Sequence, residues 1–317
     1  MILLYGQLDD PPLVQTLEAL QALGSPYLLL AQSALTSDAL RVDIGPEGVS
    51  GELLVAGQRV ALEHIDAVYA RPLDIARYRF GADLRARAEV FHEQLCQWFD
   101  VAEALVVNRP RAMQANASKP FQAQWIGQAG FEVPETLVTS DPDEARAFWR
   151  VHERIIFKSI SGVRSIVREF GTAEIARLGL LARLPVQFQA LVEGVDVRVH
   201  VVGEETFSAE IRSSAVDYRY AGQQGADAVL TPTELPRDVA SRCVALARDM
   251  GLPLAGIDLR RRQSGSYVCF EVNPMPAYTY FQSHTGLRIS DAIARLLVDA
   301  HGTPEYKEAA WFRASTT

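Results

Sequence analysis

Short apolar runs, separated by proline, glycine and clustered polar residues, set the pattern of the first third of the chain. Residues 2–5 predict a strand, residues 12–23 a helix with Leu13, Val14, Leu17, Leu20 and Leu23 at helical spacing, and residues 27–30 a second strand. That order predicts a small parallel α/β unit. Residues 45–60 predict a hairpin turning at Ala56-Gly57-Gln58, and residues 65–69 a further strand that runs into Arg71-Pro72-Leu73. From 82 to 106 the pattern is helical, with Val90, Phe91, Leu95, Trp98, Phe99 and Val101 on one broad apolar stripe. Asn108-Arg109-Pro110 ends it and marks a boundary.

Beyond the boundary, a helix runs through Trp125 to Gly130, and Asp141-Pro142 starts another that passes Trp149. Residues 155–158 predict a strand ending on Lys158, followed by a loop of small residues around Gly162 with Arg164 among them. Residues 196–203 read as an alternating strand, and residues 207–212 continue the sheet. An amphipathic helix at 236–250 stops at Gly251 and Pro253. It leads to residues 256–276, two apolar runs about a polar turn at 261–266, which read as an antiparallel strand pair. A last amphipathic helix spans 289–297, and the tail from Gly302, with Trp311 and Phe312, reads equally as an interface element or a loose end.

Composition narrows the class. The chain has 317 residues, 48% of them hydrophobic, enough for two or three packed subdomains. A net charge of −8 and a pI of about 5.4 argue against a general nucleic-acid binder. Cys96, Cys243 and Cys269 lie in apolar settings without paired spacing, which predicts core thiols of a reduced, cytoplasmic protein. The start lacks the basic residues and cleavage site of a signal peptide, and no uncharged apolar run is long enough to cross a bilayer, so no membrane partner is expected.

Candidate chemistry centres on the strand pair at 256–276. Asp258, Glu271 and Asn273 sit among residues that a strand would bury, where an unpartnered charge is very costly. Residues two apart share a face, so these hard oxygen ligands could converge on Mg²⁺ and leave its other positions to phosphates and water. The alternative is a salt-bridged surface hairpin using Arg260 to Arg262. Lys158, at the end of a strand, reads either as a fixed charge for phosphate or as a solvated strand end. His92 and Cys96 stand four apart with no third ligand, which favours a core role; His200 shares a face with Arg198 and reads as a buried, hydrogen-bonded neighbour.

Taken in order, these motifs resemble the ATP-grasp superfamily. They are Asn108, Lys119, the helix ending in Gly130, Val133-Pro134-x-Thr136, Lys158, the 186–194 segment, Asp196-x-Arg198, Asp258 and Glu271-x-Asn273-Pro274. The branch most similar contains RimK-type glutamate ligases, glutathione synthetase and microviridin-type peptide maturases; Asp217-Tyr218-Arg219 resembles an element of the maturases. The resemblance is strong over the last two-thirds of the chain and covers the first third in outline. It implies an α/β (α+β) chain with an N-terminal parallel α/β pre-ATP-grasp subdomain at 1–108. A central lid at 109–185 and a C-terminal antiparallel-sheet subdomain at 186–317 would follow. It also implies ATP as a cofactor, with Mg²⁺ or Mn²⁺ on Asp258, Glu271 and Asn273. Lys119, Lys158 and Gly162 would meet phosphates, Gln189, Ala190 and Leu191 the adenine, and Glu193 the ribose, with Asp196 in the same nucleotide set. Arg198 would stabilise phosphate charge, Arg212 and Arg219 would clamp the acyl phosphate and its parent carboxylate, and Arg71 would either face substrate or lie on the surface.

Three functional readings follow. One is a ligase that activates a carboxylate of an amino acid or peptide and joins it to an amine, with a peptide maturase making side-chain ester or amide crosslinks as its variant. Another is a non-catalytic nucleotide-binding regulator, and the last a kinase-like member that stops at phosphoryl transfer. A homodimer is the expected assembly.

Overall fold

The first sheet is buried on both faces, and the alternation of its strands divides two cores. In the computed structural model, which describes residues 1–34, 38–46, 48–74, 81–159, 167–213 and 228–302, strand β1 is Ile2–Gly6, helix α1 Pro11–Ala22 and β2 Tyr27–Ala31. Strands β3 (Ala39–Gly45), β4 (Gly48–Val55) and β5 (Gln58–Ala61) form an antiparallel sheet, one strand more than the expected hairpin. Then come β6 (Ala67–Ala70), α2 (Ala82–Val101) and β7 (Leu105–Val107). The order β2-β1-β6-β7 is parallel throughout. Ile2, Leu4 and Tyr69 face α1. Leu3, Tyr5 and Val68 face the Phe91-Leu95-Trp98 stripe of α2. Covering on both sides explains the unbroken apolar runs that announced these strands.

The middle of the chain holds α3 (Pro110–Met113), α4 (Lys119–Gln128), β8 (Thr136–Thr139), α5 (Pro142–His152), β9 (Ile155–Ser159), β10 (Arg168–Glu169), α6 (Thr172–Ile175) and β11 (Val186–Ala190). β10, β9, β11 and β8 pair in that order, antiparallel, over a small core of Ile155, Phe170 and Phe188. The expected division at 185 falls just before β11. β11 belongs to the middle sheet, whereas Ile126 of α4 and Phe131 pack into the core of the last sheet.

The last sheet contains β12 (Val195–Val202), β13 (Glu205–Ser213), β14 (Ala228–Thr233), β15 (Leu254–Arg261) and β16 (Tyr267–Asn273), in the antiparallel order β14-β13-β12-β15-β16. One face, with Val197, Val199, Val201, Ile257 and Leu259, packs on helix α7 (Arg237–Asp249). The opposite face carries Asp196, Arg198 and Asp258. Helices α8 (Thr279–Thr285) and α9 (Ile289–Gly302) close the described chain, and α9 returns to cover the first sheet through Ile289, Ile293 and Leu297.

Candidate active site

A cleft opens between the middle and last sheets, lined by Ile156 and Lys158 from β9, Gln189 and Ala190 from β11, Leu191, Val192, Asp196, Asp258, Phe270 and Glu271. Its floor is fixed by strand register. Arg198 pairs with Asp258 across β12 and β15, and Asp258 with Glu271 across β15 and β16, so the three side chains stand on one face. Asn273, two residues on, shares it. A β-bulge between Asp258 and Leu259 sets Leu259 against Cys269 and leaves Phe270 as the extra residue. Phe270 thereby joins the cleft lining, with the Arg260 guanidinium 5.3 Å above its ring.

The polar groups on this floor form one chain of contacts. Lys119, at the start of α4, lies 2.7 Å from Glu271, and Arg198 lies 2.6 Å from Asp258. With its amide oriented to satisfy both ends, Asn273 donates to Glu271 at 3.0 Å and accepts from Arg198 at 3.1 Å. The carboxylates are 32% and 24% exposed, so they are held half in solvent by opposing cations rather than buried unpaired. This donor set fits Mg²⁺. It offers two carboxylates and an amide oxygen, all hard. Lys119 and Arg198 lie directly against the two carboxylates.

Arg198 is itself held tightly. A Cβ on Gly256 would sit 2.2 Å from its Nη2, so glycine is required where the guanidinium crosses β15. The Phe281 ring lies 5.8 Å from Arg198 Cζ, and Arg198 Nε donates to His200 Nε2 at 3.5 Å. Burial first, and the Arg198 charge second, push the His200 imidazole well below its ordinary pKa, so it is neutral and able to accept. His200 is thus the buried neighbour the pattern suggested. His92 is half-buried, its Nδ1 2.9 Å from the Tyr5 hydroxyl.

Several expected residues are placed otherwise. Arg212 follows Ile211, which pairs with Asp196, so Arg212 stands on the face opposite Arg198. Its side chain is 69% exposed and lies 3.4 Å from Glu210, outside the cleft. Glu193 is 79% exposed and ion-paired with Arg154 at 2.8 Å, away from the lining. Gln189 is buried and donates to the Thr136 hydroxyl at 3.1 Å. Ala190 and Leu191 do reach the cleft, but their N–H groups are committed to the Glu135 and Arg154 carbonyls. Asp196 is in place and holds Arg260 at 2.7 Å, and Arg260 also donates to the Val192 carbonyl. Arg71 is neither on the surface nor in the cleft: it is buried against Asp10. Gly162, Arg164, Asp217-Tyr218-Arg219, Trp311 and Phe312 lie outside the described residues. Sequence reasoning missed Gly256 and Arg260; a lone glycine inside a strand, two residues before Asp258, is the signal that could have found the first.

Comparison with known proteins extends this picture. The model of the RimK-like ATP-grasp domain matches residues 119–297, from Lys119 into α9. The ribosomal protein bS6–L-glutamate ligase of Salmonella paratyphi B is 28% identical over 259 residues, 77% of this chain and 80% of that protein. Among solved structures, the ligase PsnB in complex with a phosphomimetic variant of a minimal precursor, Mg and ADP has a TM-score of 0.77 and 26% identity, covering 95% of this chain and 98% of that one. The RiPP-associated ATP-grasp ligase of Chryseobacterium gregarium, in complex with ADP and a leader and core peptide, shares the fold at a TM-score of 0.78 and 22% identity, over 94% and 96% of the two chains. With a family model spanning more than half its length, from Lys119 through the carboxylate hairpin, the chain belongs to the RimK-like ATP-grasp family of ADP-forming ligases.

Proposed function

We propose that the chain uses ATP to activate a carboxylate as an acyl phosphate and joins it to an amine, on a peptide substrate. The observation that carries the reading is the floor of the cleft: Asp258, Glu271 and Asn273 on one strand face, with Lys119 and Arg198 against them and Lys158 on the opposite wall. Asp258, Glu271 and Asn273 hold Mg²⁺, for which Mn²⁺ substitutes as another ion suited to oxygen ligands. When bound, the ion neutralises and polarises the transferred phosphoryl group. Lys119 and Arg198 exchange their carboxylate partners for phosphate oxygens, and Lys158 meets the phosphates from the other sheet. By the family resemblance alone, Gly162 would serve the phosphates and Arg219 the activated carboxyl; both lie outside the described residues. The main-chain segment 189–192 forms the adenine wall, and Asp196 keeps that wall in place through Arg260.

Held in line, the substrate carboxylate attacks the γ-phosphorus, the bond to the β,γ-bridging oxygen breaks, and ADP leaves. The amine then attacks the acyl carbon, phosphate leaves with the C–O electrons, and the amine gives up a proton. No side chain becomes covalently attached. A maturase that joins side chains within a peptide, by amide or ester bonds, is favoured by one finding: likeness to PsnB, whose structure holds a peptide precursor, extends over 95% of this chain, including the N-terminal unit. In the ester case a hydroxyl takes the place of the amine.

The test is release of ADP and phosphate from Mg-ATP across pools of amino acids and peptides. Release should require one peptide pool, and Glu271→Ala should lower it by more than about a hundredfold, beyond the usual cost of losing an outer-shell partner. Release from free amino acids alone would overturn the peptide assignment; equal release by the variant would overturn the metal assignment. The three cysteines are all free thiols, in keeping with the reducing cytoplasm, where we place the protein as a homodimer. Light scattering of the purified chain tests the dimer, and a monomer mass would contradict it.

A further inference from the structure

The metal strand β16 is the edge of its sheet, so alternate backbone groups along it point outward and need partners from elsewhere. Past the bulge this is Val272 within the strand, between Glu271 and Asn273, and the chain that continues beyond the strand's end at Asn273 adds the carbonyls of Pro274 and Pro276. Each meets a different buried side chain. Gln122 of α4 donates to the Val272 carbonyl at 2.7 Å and accepts from the Val272 N–H at 3.0 Å. Asn108, which follows β7, donates to the Pro274 carbonyl and to the Leu254 carbonyl at 2.7 Å, while its Oδ1 accepts from the Leu254 N–H at 3.1 Å. Arg71, which follows β6, donates to the Pro276 carbonyl at 3.2 Å and is held from behind by Asp10 at 2.5 Å. All three are 4% exposed or less.

The chemistry of each pair is matched. Val272 has both a donor and an acceptor, and an amide that is both answers it. The prolines have no N–H, only a carbonyl, and each carbonyl is met by a donor. We infer that Gln122, Asn108 and Arg71 form a splint for the metal strand: positioning residues that fix Glu271 and Asn273 by holding the backbone on either side of them. The inference rests on the metal assignment proposed above. Two of the three arms come from the carboxyl ends of parallel strands in the first sheet, so the N-terminal unit is built into the geometry of the metal ligands. The third comes from the helix that begins with Lys119, which sets that lysine and Glu271 in one frame. Outer-shell partners of this kind commonly contribute about ten- to a hundredfold to metal affinity.

The experiment is calorimetric titration of the intact chain with ADP, with and without Mg²⁺; the ratio of the two dissociation constants measures the benefit of the metal. In Gln122→Met that ratio should fall about tenfold while metal-free ADP affinity stays unchanged, and Glu271→Ala should lose most of the ratio. A folded Gln122→Met with the wild-type ratio would overturn the splint. So would an equal loss of affinity with and without Mg²⁺, because that reports a damaged nucleotide cleft. Should Gln122→Met fail to fold, Gln122→Glu, which keeps the acceptor and loses the donor, carries the same expectation and the same contrary result. A wild-type chain indifferent to Mg²⁺ would instead overturn the metal assignment itself.

Discussion

Arg198 is where packing and chemistry meet most closely. Its guanidinium crosses Gly256 with no room for a methyl group, contacts Asp258 and receives an acceptor from a neutral His200. Gly256→Ala should therefore displace Arg198, destabilise the fold by about 1–3 kcal/mol through overpacking, and lower kcat/KM by about tenfold or more. Thermal melts and steady-state kinetics check both; wild-type kinetics in a folded variant would contradict the placement. His200 adds a pH dependence. Its folded pKa lies below its ordinary value of 6.5, so below pH 6.5 the unfolded chain binds a proton that the folded chain does not. Stability from this group is full above that pH and lost as pH falls, by up to about 1.4 kcal/mol per unit; His92, also lowered by burial, adds to it. Melts between neutral and mildly acid pH should fall, and His200→Gln should flatten the slope.

At the scale of elements, what was legible followed from local periodicity. The paired runs at 256–276 predicted that Glu271 and Asn273 share a face, because a two-residue period needs no knowledge of neighbours; that Asp258 joins them is set by the register of β15 against β16, which the sequence left open. Arg212 was misplaced for the converse reason. Its face depends on the register of β13 against β12, and a shift by one residue moves a side chain to the other side of the sheet. The bulge at Phe270 and the closure of the β16 edge were also out of reach, since Gln122 lies 150 residues from Val272 and Arg71 lies 205 from Pro276. Arg260 shows what such distant pairing does. It ties the 189–192 wall to the sheet through Val192 and Asp196. Arg260→Met should raise the KM for ATP about five- to tenfold with little change in kcat, as removal of a contact that serves binding alone would. A fall in kcat with unchanged KM would argue against that role.

At the scale of the whole molecule, the first and the last described elements share one core. α9 supplies Ile289, Ile293 and Leu297 to the core that also holds Ile2, Leu4, Leu13 and Leu20. The first sheet therefore lacks one covering layer until the last described helix is present. Ending the chain after Arg288 should leave a protein that is insoluble or shows no cooperative melt. Arg71 and Asn108 of the N-terminal unit likewise bond the backbone that follows β16. The unit most removed from the recognisable motifs thus takes part in the site's geometry. The central claim, a carboxylate activated by phosphoryl transfer in this cleft, is tested most directly with heavy oxygen. The peptide pool that supports turnover would carry the label in its carboxyl groups, and the released phosphate would be analysed by mass. The account predicts one labelled oxygen in phosphate for each ADP formed; unlabelled phosphate, with ADP still released, would contradict it.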